Sequence, residues 1–156
     1  MEVLKKILLV EDNPKDLELT LAALERSQLA NEVITARDGA EALDWLMCKG
    51  PHANRTSGDP AVVLLDLKLP KIDGLQVLER IKSSEEFRHV PVVMLTASRE
   101  ESDLVRSYKL GVNAFVVKPV GFQDFFKAIQ EVGMFWAILN EPHPPRRLHP
   151  MKVTEA

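Results

Sequence analysis

The chain has 156 residues, 46% of them apolar and 28% charged, and its 20 basic against 23 acidic side chains give a net charge of −3. At about 100–200 residues per domain this is one domain with room for a short appendage, long enough to bury a sizeable core. The charge balance offers no general attraction to nucleic acid or to anionic membranes, and the single cysteine, Cys48, excludes an internal disulfide or a Cys-rich zinc framework.

The chain starts with Met1–Lys6 and the short apolar run Ile7–Val10, which Glu11 and Asp12 interrupt at once, so this is not a signal peptide. No apolar run approaches the ~20 residues of a membrane helix, and the expected location is the cytoplasm. Three further apolar runs follow: Ala61–Leu65, Val92–Leu95 and Ala114–Val117, with a weaker one at Glu32–Ala36. Short runs without polar alternation, rich in β-branched residues, suit strands covered on both faces. Between them lie helical patterns. Asn13-Pro14 offers an N-cap and a first-turn proline ahead of Leu17, Leu21 and Leu24, and Asp38-Gly39 opens a second helix with Leu43, Leu46 and Met47. Gly74 precedes a third, Ser98 or Arg99 opens a fourth, and Gly121 introduces the longest, to about Leu139.

This alternation predicts an α/β fold: a (βα)5 doubly wound, five-stranded parallel sheet. Two segments fall outside the alternation. Lys49–Pro60, rich in Gly, Pro, Asn and Ser, reads as a long surface loop able to carry partner contacts, and the tail after residue 140, with four prolines and no periodicity, reads as extended or mobile. The expected division is a domain at 1–140 and a C-terminal tail at 141–156.

In a doubly wound sheet the ligand crevice lies beyond the carboxyl ends of the strands. The residues there are Glu11 and Asp12 after the first run, Asp66 after the third, Thr96 after the fourth and Lys118-Pro119 after the fifth. Three carboxylates, a hydroxyl and an ammonium therefore converge. Clustered carboxylates repel unless a cation neutralises them, and hard oxygen ligands in a small crevice favour Mg²⁺. Beside such an ion Asp66 can act as a carboxylate nucleophile toward phosphorus, with Lys118 and Thr96 donating to the phosphoryl oxygens.

Four stretches carry a family resemblance: Leu8–Asn13, Leu64–Gly74, Met94–Ala97 and Val116–Pro119. Together they resemble the receiver domains of two-component response regulators, over about Lys5 to Leu139. The resemblance implies a flavodoxin-like receiver fold with strand order 2-1-3-4-5, and assigns roles by position. Asp66 matches the phosphoacceptor. Glu11, Asp12 and Asp66, with the Lys68 backbone carbonyl, match the Mg²⁺ ligands, Lys118 the lysine that contacts the phosphoryl group, and Thr96 and Phe115 the switch pair. It also implies a cis Lys118–Pro119 bond. The long final helix with Phe135-Trp136 and a Pro-rich tail resembles the small stand-alone regulators paired with bacterial phytochrome kinases, which implies a sensor histidine kinase of the bacteriophytochrome type as partner.

Other readings compete residue by residue. Asp12 or Asn13 can cap the first helix, Thr96 can fill a strand, Lys118 can be a solvated strand end, and Phe115 can be a core aromatic. The last helix has more apolar positions than one narrow stripe can bury: Phe122, Phe126, Phe135 and Trp136 form an exposed patch suited to a homodimer through the fifth strand and fifth helix, or a thicker core stripe with Trp136 folded under the tail. His52, His89, His143 and His149 show no catalytic or metal spacing. A phosphatase of the haloacid dehalogenase type also uses an aspartyl phosphate, but it needs an Asp two residues after the nucleophile, where Lys68 stands. The remaining alternative is a constitutive dimeric interaction module with little phosphorylation-dependent switching.

Overall fold

Ile7–Val10, Val33–Ala36, Val62–Asp66 and Val92–Thr96 are buried at every position, as runs without alternation must be when helices cover both faces of a sheet. The computed structural model describes residues 5–27, 30–56, 58–97, 108–121, 123–124, 127 and 152–156. In chain order the elements are β1 (Ile7–Val10), α1 (Pro14–Arg26), β2 (Val33–Ala36), α2 (Gly39–Leu46), a 3₁₀ turn (Gly50–His52), β3 (Val62–Asp66), α3 (Gly74–Ser83), β4 (Val92–Thr96), β5 (Ala114–Val117) and β6 (Val153–Glu155). The fourth helical pattern, from Ser98 or Arg99, lies outside the described residues as far as residue 107. Most of the final pattern, Phe122, Phe126, Phe135 and Trp136 included, also lies outside them.

All strand pairs are parallel, in the order β5-β4-β3-β1-β2-β6. Alternate strand residues feed two cores. Leu8 and Val10 of β1 pack with Leu43 and Leu46 of α2 and Val77, Leu78 and Ile81 of α3, whereas Ile7 and Leu9 pack with Ala23 and Leu24 of α1. This is the doubly wound arrangement expected from the sequence, with order 2-1-3-4-5 kept in the first five strands.

Each described helix starts where its cap residue dictates. Asn13 Oδ1 accepts from the Lys15 and Asp16 amides, Asp38 from Glu41, and Asp73 shares a reciprocal capping box with Gln76. Asn13, and not Asp12, caps α1, which leaves the Asp12 carboxylate for other work.

The sheet gains a strand that the reading of the tail did not include. Val153–Glu155 pairs with Val33–Thr35, the Lys152 carbonyl accepts from Val33 N–H, and Ala156 N–H donates to the Thr35 carbonyl. Three residues after a proline-rich stretch carry no periodic signal, yet the open edge of β2 supplies backbone partners and so makes a strand of them. Glu32, just before β2, helps hold it: its carboxylate accepts from Lys6 Nζ and from the Thr154 hydroxyl, with Lys152 Nζ 3.8 Å away.

Burial alone would raise the Glu32 carboxyl, but the bonds from Lys6 and Thr154 and the two nearby lysines outweigh it and hold the group below its ordinary 4.5. A pKa depressed by folding stabilises the fold above the unfolded value, and that contribution is lost as pH falls. We expect β6 to loosen below about pH 4.5, ahead of the sheet centre. Amide hydrogen exchange at Ala156, compared with Leu64, reads this; equal changes in protection at both sites would count against it, and Glu32→Gln should loosen β6 at neutral pH.

The 49–60 loop is tied down by Arg55. Its guanidinium donates to the carbonyls of Trp45, Leu46 and Gly58 and stacks 3.8 Å over the Trp45 ring, so α2's last carbonyls find partners in the loop that follows. Among the described residues no helix is long and apolar enough to cross a membrane.

Candidate functional site

Strand register assembles the site. Val10 pairs with Leu65, so Glu11, just after β1, and Asp66, the last residue of β3, stand at the same level. Asp66 pairs with Leu95 and Thr96 with Val117, which brings Thr96 and then Lys118 to the same edge of the sheet. Lys118 N–H donates to the Thr96 carbonyl at 2.8 Å, carrying the ladder one residue past β5, and the Lys118–Pro119 bond is cis.

Glu11, Asp66 and Thr96 are buried, whereas Asp12 is exposed at the mouth. One carboxylate oxygen from each of Glu11, Asp12 and Asp66 lies within 4.8 Å of the others. Lys118 Nζ is 2.6 Å from Glu11 Oε1 and 3.1 Å from Asp66 Oδ2. A third contact, to a residue that the sequence does not single out, runs from Lys118 Nζ to Asp16 Oδ2 at 3.1 Å. Asp16 stands one turn into α1, where an acidic residue reads as a complement to the helix dipole and nothing in its spacing signals a lysine partner.

Burial is the main reason why the Glu11 carboxyl is pushed up to about 7; the hydrogen bond with Asp66 adds to it and Lys118 opposes it. Burial would lower Lys118, but Glu11, Asp66 and Asp16 outweigh it and raise its pKa above the ordinary lysine value. Two buried acids thus share one ammonium and still carry excess negative charge.

The donor set fits a hard divalent cation. Three carboxylates converge against one lysine, and Glu11 Oε1, though ion-paired with Lys118, lacks a well-directed hydrogen bond while wholly buried. On the opposite flank Lys68 N–H donates to Asp66 Oδ1 at 3.4 Å. Gly74 closes the floor: a Cβ there would overlap the Asp66 carbonyl oxygen and sit 2.8 Å from Leu67 Cα. Phe115 is half-buried on β5 and meets the exposed Tyr108 edge-on, ring centroids 4.8 Å apart. His89 sits away from these residues, 3.0 Å from Asp59.

The model of the response regulator receiver domain matches residues 7–130. The chain belongs to that family. As a receiver it is a signalling domain of two-component systems. Among solved structures it is similar to the bacteriophytochrome response regulator AtBRR, with 71% identity, TM-score 0.82, and coverage of 90% of this chain and 100% of that one. The Mn²⁺-bound form of response regulator Rcp1 is 40% identical at TM-score 0.71, covering 90% of this receiver and 99% of that chain. The curated Rcp1 of Synechocystis sp. is 42% identical over 132 residues, 85% of this chain and 88% of its own length. The phosphorylated cyanobacterial phytochrome response regulator RcpA is 40% identical at TM-score 0.73, covering 90% of the receiver and 100% of that chain. Divalent-metal binding is thus seen in a relative, and the receiver's own acidic cluster has the donors for it.

Proposed function

We propose that this receiver is a Mg²⁺-dependent acceptor of a phosphoryl group from a sensor histidine kinase of the bacteriophytochrome type, with Asp66 as the acceptor. The observation that carries the reading is the buried Asp66 carboxylate, clustered with Glu11 and Asp12 and 3.1 Å from the Lys118 ammonium. Glu11, Asp12, Asp66 and the Lys68 carbonyl would hold the metal, which when bound offsets charge on the phosphoryl oxygens. Lys118 and the Thr96 hydroxyl donate to the remaining oxygens. Asp66 oxygen forms a bond to phosphorus as the bond to the kinase's histidine nitrogen breaks, with the electron pair leaving on that nitrogen.

Support for the phytochrome kinase as donor is the 71% identity with AtBRR, a bacteriophytochrome response regulator. Thr96 and Phe115 couple the site to the surface around β5, and phosphorylation shifts a population between two states of that surface. Phe122, Phe126, Phe135 and Trp136 carry a homodimer contact, in a receiver unit of residues 1–140 followed by a tail of 141–156 whose Val153–Glu155 is the added strand β6. The protein works in the cytoplasm and does no catalysis beyond assisting its own phosphorylation and dephosphorylation.

Intact mass after incubation with Mg²⁺ and acetyl phosphate tests the reading. One phosphoryl group should be gained, none without divalent metal and none in Asp66→Asn. No gain, together with no response to beryllofluoride, would sink the acceptor role and leave a constitutive interaction module.

A further inference from the structure

The Lys118 ammonium has three N–H donors, and three carboxylate oxygens lie within 3.1 Å of it: Glu11 Oε1, Asp66 Oδ2 and Asp16 Oδ2. Two of these belong to the acidic cluster and one does not. Glu11 and Asp66 are therefore compromised as holders of the lysine. Their oxygens are the ones a divalent cation would draw, and an Asp66 oxygen is the one that would bond to phosphorus.

Asp16 is different in origin and placement. It comes from α1, its amide is pinned by the Asn13 cap at 3.1 Å, and its side chain is one-third exposed, so it stands on the solvent side of a lysine that is itself 12% exposed. Resting on the reading of Asp66 as the acceptor, we propose that Asp16 is a positioning residue that holds the Lys118 ammonium in the crevice throughout phosphoryl transfer. Anchored there by one N–H, the ammonium has its other two donors free to turn from Glu11 and Asp66 to the incoming phosphoryl oxygens. In transfer from acetyl phosphate, an Asp66 oxygen forms the bond to phosphorus, the bond between phosphorus and the acetate oxygen breaks, and the electron pair leaves with acetate. Neither Lys118 nor Asp16 gains or loses a proton.

A first-turn acid that only complements the helix dipole would act independently of Lys118. A double-mutant cycle separates the two roles. In the full chain with Mg²⁺ and acetyl phosphate, Asp16→Asn should slow the gain of mass about tenfold, less than the ~100-fold of a full ~1 Å misplacement because Glu11 and Asp66 still hold the lysine, and Asp16→Glu should recover most of it. In a Lys118→Ala background Asp16→Asn should change the rate no further. Metal-free ¹⁵N-edited NMR of the lysine ammonium groups gives a readout without phosphorylation: a slowly exchanging signal, assigned by its loss in Lys118→Ala, should vanish in Asp16→Asn and return in Asp16→Glu. An unchanged signal, or a rate effect of Asp16→Asn that persists in Lys118→Ala, would overturn the proposal. If the wild-type chain shows the signal but gains no mass, the acceptor reading itself fails, and this role for Asp16 goes with it.

Discussion

Replacing Lys118 by Met is expected to destabilise the metal-free protein by about 3 kcal/mol at neutral pH, because a buried charge cluster loses the cation that, among the described residues, pairs with it. Met keeps most of the lysine stem's volume, so the loss is of charge and not of packing. Left behind are Glu11 at 0% and Asp66 at 8% side-chain exposure, with Asp16 nearby. Protonation of Glu11, whose carboxyl already titrates at about 7, relieves part of the repulsion and keeps the cost at the lower end of the range for a broken buried pair. A divalent cation at Glu11, Asp12 and Asp66 should restore much of the loss, since binding only the folded state at a hundred times its dissociation constant contributes about 2.7 kcal/mol. Urea unfolding with and without Mg²⁺ decides the matter. A variant within about 1 kcal/mol of wild type in metal-free buffer would show that the lysine does not neutralise the cluster.

Glu11, Asp66, Thr96 and Lys118 were legible because each directly follows an apolar run, and Asp12 because it comes one residue later; the end of a buried parallel strand is where a doubly wound sheet opens its crevice. Strand order and register then did the rest. What escaped the sequence lies where local chemistry looks ordinary. Asp16 is one acid in a helix's first turn, and only the fold brings it 3.1 Å from a lysine 102 residues away. Arg55 stands in a loop of Gly, Pro and Asn, and its three carbonyl partners include two at the end of α2. β6 is three residues long, below the length at which alternation can be read, and it owes its form to the edge of β2. The caps were more readable: Asn13-Pro14 and Asp38-Gly39 start α1 and α2 where their residue types place them.

Gly74→Ala is expected to damage the site more than its size suggests. Gly74 begins α3 directly under the strand end that carries Asp66, and its N–H donates to the Leu67 carbonyl at 3.0 Å. An added Cβ would overlap the Asp66 carbonyl oxygen and lie 2.8 Å from both Leu67 Cα and Leu67 O, all backbone atoms that no rotamer change can clear. Either α3 or the chain from the last residue of β3 onward must move. α3 is locked by Val77, Leu78 and Ile81 in the core and by the Asp73–Gln76 capping box, so the segment carrying Asp66 and Lys68 yields. Overpacking of this kind costs about 1–3 kcal/mol, and a shift near 1 Å in an acceptor can cost about 100-fold in rate. Phosphorylation from acetyl phosphate should therefore fall by about that factor even at temperatures where circular dichroism shows the variant folded. Gly121→Ala serves as the control, because among the described residues a Cβ there would come no nearer than 3.8 Å, to Asp124 Oδ2. A folded Gly74→Ala protein that accepts phosphate at the wild-type rate would mean that α3 moves instead and that the site does not depend on this close approach.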